Sequence, residues 1–157
     1  MRIELLADHL HLAPTLARWH SDEWSHLVPA WSYEALLAEL LTRTPRDAIP
    51  LTVVALDGLA PLGSASLVVE DLPGWEHLTP WLASVYVATE ARGRGVGTAL
   101  VGAVVEAARG LGVGRLQLFT AGQAEFYERL GWHQVADAWL GDHPVRVLAL
   151  EIEVPPG

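Results

Sequence analysis

The chain is predicted to form a mixed α/β (α+β) fold, a sheet covered by helices, on three features of its pattern. Two apolar, β-branched runs at 51–56 and 62–69 meet across Asp57-Gly58, a dipeptide that signals a tight hairpin. An apolar strand pattern at 81–88 passes through a glycine-rich turn straight into an amphipathic helix. The chain closes on two more apolar runs, 134–140 and 145–154, around Gly141-Asp142-His143-Pro144. Strands first, then strand–helix units, imply a mixed sheet with helices packed on it.

Taken in order, residues 1–6 read as a short first strand, and 14–24 and 32–42 as two helices. Ser32 suits the N-cap of the second, whose Leu36, Leu37, Leu40 and Leu41 fall on one face. After the hairpin comes a loop at 71–80, then the strand at 81–88 and a helix to about Leu111, with Leu100, Val104, Ala107 and Leu111 as its inner face. Residues 116–120 form a strand. A short helix around Tyr127 follows: Thr120 with Gln123 three later reads as a capping box, and Gly131 as a helix stop. No linker, low-complexity tract or repeat interrupts the pattern, so residues 1–157 are expected to form one domain.

The glycine turn is the most informative segment. Gly93, Gly95 and Gly97 on alternate positions allow backbone conformations closed to other residues and remove the Cβ atoms that would block close approach. Their amides, with the unpaired first-turn N–H groups of the helix and its partial charge of about half an elementary unit, suit a phosphate or diphosphate. Arg92 and Arg94 add full charges beside it. Competing motifs fail. A P-loop needs lysine, and the ten basic residues here are all arginine. The dinucleotide fingerprint would need glycine where Thr98 or Leu100 stands, and Gly114-Arg115-Leu116-Gln117 offers no acidic ribose partner.

What remains is Arg-x-x-Gly-x-Gly, formed by Arg92, Gly95 and Gly97, followed downstream by Phe126-Tyr127-Glu128-Arg129-Leu130-Gly131-Trp132. Together these resemble two ordered boxes of the GNAT superfamily, the acyl-CoA-dependent N-acyltransferases, with Trp132 in place of the second box's last aromatic. The likeness spans 51–153, the N-terminal third matching more loosely. It implies a mostly antiparallel mixed sheet of about six to seven strands flanked by about four helices. It also implies acetyl-CoA as cosubstrate and acetyl transfer to a primary amine by direct attack on the thioester.

The resemblance further implies cofactor contacts. The main chain of Val85, Tyr86 and Val87 would pair with the pantetheine arm, since an unpaired ladder edge needs a partner. Arg92, Gly93, Arg94, Gly95, Val96, Gly97 and Thr98 would surround the pyrophosphate. As side chains, the strand residues read as plain core. Tyr127 matches the family tyrosine that protonates the departing thiolate or holds its sulfur, general acid help worth roughly 10² to 10⁴ in rate. Without the resemblance, Phe126 and Tyr127 are an aromatic pair packing a helix.

The base is less clear in the pattern. Relatives often carry a glutamate on the strand before the tyrosine helix, where this chain has Leu116-Gln117-Leu118-Phe119-Thr120. Glu70 and Asp71, at the end of the third strand, are the nearest candidates, against the plainer reading of a solvated strand end; water or an amine arriving neutral is the other route. With no cysteine and no Ser–His–acid set, a covalent acyl-enzyme is not expected. Trp19, Trp24, Trp31, Trp75 and Trp81 fall in segments that wall the acceptor side in the family, and together suit an ammonium through cation–π contact, although each alone reads as packing. The alternative function is a non-catalytic CoA-binding sensor or interaction domain of the same fold, which the missing strand carboxylate favours. No motif encodes the acceptor, a small-molecule or peptide amine, nor the acyl length or the oligomeric state; homodimers are frequent among relatives.

Composition narrows the partners. A formal charge of −9 disfavours nucleic acid, which wants a basic face, and suits a cationic small molecule. No apolar run is long enough to span a membrane, and the first residues lack the layout of a signal peptide, so a cytoplasmic location is expected. The seven histidines show no ligand spacing, and no metal is expected.

Overall fold

The computed structural model describes residues 1–155. Its strands are β1 (Arg2–Leu5), β2 (Leu51–Asp57), β3 (Ala60–Val68), β4 (Trp81–Val87), β5 (Arg115–Thr120), β6 (His133–Leu140) and β7 (His143–Glu151). They form one sheet in the order β1-β2-β3-β4-β5-β7-β6, antiparallel everywhere except between β4 and β5. Four α-helices accompany it: α1 (Ala13–Trp24), α2 (Tyr33–Thr42), α3 (Val96–Gly110) and α4 (Ala124–Arg129). The mixed, mostly antiparallel sheet expected from the sequence is the one observed.

Alternation along β2 divides the helices between the two faces. Val54 and Leu56 pack with Leu16 of α1 and with Leu36 and Leu40 of α2. Leu51, Val53 and Ala55 pack on the other face with Leu100 and Val104 of α3. Ser32 caps α2 as expected, its hydroxyl accepting the Ala35 N–H at 3.2 Å. The β2–β3 loop is Gly58-Leu59, one residue later than the sequence reading; Gly58 has φ 60° while Leu59 stays at negative φ, as a II′ turn requires. The buried face of α3 is Val96, Leu100, Val101, Val104 and Ala108. Leu111 falls beyond the helix end and is exposed, because Gly112 turns the chain away in a left-handed stop.

Two irregularities in β4 make the site. Its pairing with β5 is confined to Trp81 opposite Gln117, so the two strands part and leave the rest of β4 open on that edge. Against β3, Gly63 and Ser64 pair with Val87 and Tyr86, but Ser66 pairs with Ala83, so β4 carries one extra residue. Within that bulge Ser84 has φ 55°, the one non-glycine residue at positive φ among the described residues.

Candidate active site

Gly93 and Gly95 both lie in the left-handed region, at φ 76° and 80°, and Gly95 is the N-cap of α3. Residues bearing Cβ take that conformation only with strain, which explains these two glycines. Gly97 is different: it lies within the helix, and a Cβ there would sit 3.4 Å from the Phe126 ring and 3.6 Å from Val87. Those are ordinary contact distances, so neither backbone conformation nor packing demands glycine at this position.

A groove of about 470 Å³ runs from this turn along β4 to α4, lined by Val85, Tyr86 and Val87, by Arg92, Gly93 and Gly95 through Thr98, and by Phe126 and Tyr127. The turn residues named from sequence are therefore brought together, with one exception: Arg94 is exposed and does not line the groove. Arg92 is turned toward β4. Its Nε donates to the Val87 carbonyl at 3.0 Å, its guanidinium lies 5.6 Å from the Tyr86 ring centre, and Nη2 stands 4.0 Å from Glu23 of α1. Because the Ala88 N–H bonds Leu62 on β3, alternation points the main-chain groups of Val85 and Val87 to the open edge and those of Tyr86 to β3.

A second cavity, of about 440 Å³, lies beside the groove beneath α1 and α2. Glu23, Trp24, Val85, Gln123 and Tyr127 line both spaces. Tyr127 is thus part of the wall between them. A Schellman stop fixes its helix: Gly131 at φ 98° lets the Trp132 N–H bond the Tyr127 carbonyl and the Gly131 N–H bond that of Glu128. Thr120 contributes less than a capping box; its hydroxyl accepts the Gln123 N–H at 3.0 Å, but it lies at the end of β5 and Gln123 is the N-cap. Burial pushes the Tyr127 phenol up to about 12, so it remains a proton donor at any ordinary pH.

Carboxylates collect in the second cavity: Glu23, Glu39, Glu70 and Asp71. Glu39 is paired with Arg43 at 3.2 Å, and Glu70 is exposed. Asp71 differs from the solvated strand end read from sequence. It is half-buried and lines the cavity, and no hydrogen bond or ion pair engages it among the described residues. Burial pushes its carboxyl up to about 7 despite the opposing pull of Arg43.

Of the five tryptophans expected on the acceptor side, Trp24 and Trp31 line the cavity. Trp81 is fully buried core, its indole N–H donating to Leu78 and its ring edge-on to Phe119, which lines the cavity in its place. Trp19 stacks on Tyr86 and Trp75 on His77. Arg43, His20 and Ser84 were not singled out by sequence reasoning; they are isolated polar residues whose partners come from other elements. Among the described residues no cluster of three or more His, Cys, Asp or Glu is arranged to hold a metal, and no helix is long and apolar enough to cross a membrane.

A sheet splayed at a bulged β4 and a left-handed glycine turn capping α3, with Tyr127 lining two adjoining cavities, characterise the class of fold. The family comparison names it: residues 13–132 match the acetyltransferase (GNAT) family, and the chain belongs to that family. Among solved structures it is similar to an aminoglycoside 6'-N-acetyltransferase complexed with coenzyme A, at 18% identity and TM-score 0.77 with 100% of each chain covered. It is also similar to a ribosomal-protein-alanine N-acetyltransferase from Brucella melitensis, at 22% identity and TM-score 0.74, covering 97% of this chain and 100% of that one. A Salmonella typhimurium protein described as an acetyltransferase and solved with acetyl-CoA superposes at TM-score 0.70 and 18% identity, covering 97% and 94%. No curated protein matches the chain.

Proposed function

We propose that the protein transfers an acetyl group from acetyl-CoA to a primary amine. The observation that carries this reading is the shared wall: one space leads from an anion-binding turn along an unpaired strand edge, another is ringed by carboxylates and aromatic rings, and Tyr127 with Val85 faces both. The pyrophosphate sits on the amides of Gly95 through Thr98, and the pantetheine pairs with the open edge of β4 at Val85. Arg92 steadies that edge from the Val87 carbonyl. Arg94, outside the groove, is left to long-range attraction.

The acceptor occupies the carboxylate-lined cavity, which favours a cationic small-molecule amine over an acidic one; the likeness to aminoglycoside acetyltransferases supports this choice of class. Asp71, poised near neutral pH, takes a proton from the acceptor ammonium. The freed lone pair attacks the thioester carbonyl carbon; as the tetrahedral intermediate collapses the C–S bond breaks, Tyr127 donates its proton to the leaving thiolate, and the second proton on the nitrogen returns to the Tyr127 phenolate to leave a neutral amide. In this reading Asp71 stands in for the carboxylate missing from β5, which argues against the alternative of a non-catalytic CoA sensor. The test is transfer of labelled acetyl from acetyl-CoA across a panel of amines, repeated with Tyr127→Phe. The expected loss is roughly 10² to 10⁴ in kcat. Equal turnover would remove Tyr127 from the chemistry, and absence of turnover across the panel would remove the reading.

A further inference from the structure

The bulge in β4 sits in a strained conformation, and something must hold it there. Ser84 at φ 55° occupies a region that side-chain-bearing residues adopt at a cost of roughly tenfold in population. The group that reaches it is Arg43, just past the end of α2. Its side chain is only 11% exposed. Nη1 donates to the Ser84 hydroxyl at 3.3 Å and to the Ser66 hydroxyl at 3.1 Å, while Nη2 donates to Glu39 at 3.2 Å. Ser66 is fixed in turn by Thr52 of β2, their hydroxyls 2.7 Å apart. On the other side of the bulge, buried His20 of α1 bonds the Ser64 hydroxyl at 3.2 Å, opposite Tyr86. The planar guanidinium thus spans two neighbouring strands across the extra residue, a geometry a lysine cannot reproduce.

The geometry points to Arg43 as a positioning residue for acetyl transfer: by clamping Ser84 to Ser66 it holds the β4 bulge, and thereby the place of the Val85 peptide groups relative to Tyr127. The kinetic part of this inference rests on the function proposed above; the structural part does not. Arg43 lines the acceptor cavity, but the donors described for it are engaged by Ser84, Ser66 and Glu39. Its loss lets β4 relax toward regular pairing with β3, moving the thioester while leaving the pyrophosphate on its turn.

Four variants test it: Ser84→Ala, Ser84→Gly, Arg43→Leu, and Arg43→Leu combined with Ser84→Gly. Alanine and glycine both remove the hydroxyl, but only glycine adopts the left-handed conformation without help. The expected result is a fall of about tenfold in kcat for Ser84→Ala and Arg43→Leu, with the dissociation constant for CoA changed less than about threefold. Ser84→Gly should exceed Ser84→Ala by about tenfold, and the double variant should recover most of what Arg43→Leu loses. A residue that merely docks α2 would lower the melting temperature of Arg43→Leu without this split, and glycine would not rescue it. Equal losses in Ser84→Ala and Ser84→Gly, or no rescue in the double variant, would overturn the clamp. If the wild type binds CoA yet acetylates no amine, the proposed function fails. The clamp is then judged by crystal structures of Ser84→Ala and Arg43→Leu, where retention of φ near 55° at residue 84 refutes it and its loss supports it.

Discussion

Replacing Asp71 with asparagine should alter activity and stability in opposite directions, and both sizes follow from one value. With its carboxyl pushed up to about 7, Asp71 is ionised in roughly one molecule in ten at pH 6 and roughly nine in ten at pH 8. If the ionised form is the base, wild-type kcat/KM rises about tenfold over that range, and Asp71→Asn loses that rise along with roughly 10² to 10⁴ in rate. Stability runs the other way. The native chain still holds a proton on Asp71 that the unfolded chain, with an ordinary carboxyl, has already lost, so ionising the buried group disfavours the fold as pH rises. Between pH 6 and 8 the wild type should lose about 1 kcal/mol relative to Asp71→Asn. Thiol release from acetyl-CoA measures the first quantity, and urea unfolding of both proteins at the two pH values measures the second. A variant keeping the wild-type pH profile, or a stability gap that does not change, would refute the placement of Asp71 as a buried base.

Three further outcomes are expected. Gly95→Ala forces a Cβ into the left-handed cap of α3 and should weaken CoA binding at least tenfold by calorimetry, with a stability cost of about 1–2 kcal/mol. Gly63→Ala places a Cβ against the Tyr86 carbonyl oxygen across the β3–β4 pair, so denaturant unfolding should register a loss of about 3 kcal/mol, backbone having less room to yield than side chains. His20, buried against Trp24 and Tyr86, has its imidazole held down to about 3, chiefly by burial and next by Arg43. The unfolded chain therefore takes up a proton below about 6.5 that the native chain refuses, and from pH 6.5 to 4.5 the wild type should lose about 2 kcal/mol relative to His20→Leu.

The legible parts of this chain were those whose signal is local. Gly93 and Gly95 mark positive φ directly, Gly131 marks a helix stop, and the Phe126-Tyr127 box lies on one short helix, so the turn and Tyr127 could be found from neighbours in sequence. Asp71 was legible only as a candidate beside Glu70, because the environment that separates the two, next to Glu39 and Arg43 of another element, arises from a loop with no period to read. The bulge was equally hidden: 81–88 reads as an unbroken apolar strand, and only the register against β3 reveals the extra residue. Arg43 follows the last turn of a helix like any solvated cation, yet its partners lie on β3 and β4. Trp81 misled for the converse reason. A large aromatic beside a site and one buried beneath it look alike until Phe119 is seen to take the cavity position.

A crystal structure with CoA bound tests the central claim most directly. The account predicts the pyrophosphate on the amides of Gly95 through Thr98, the pantetheine along the open edge of β4 at Val85, and the sulfur within hydrogen-bond reach of the Tyr127 hydroxyl. CoA absent from the groove at saturating concentration, or bound with its sulfur directed away from Tyr127, would contradict it.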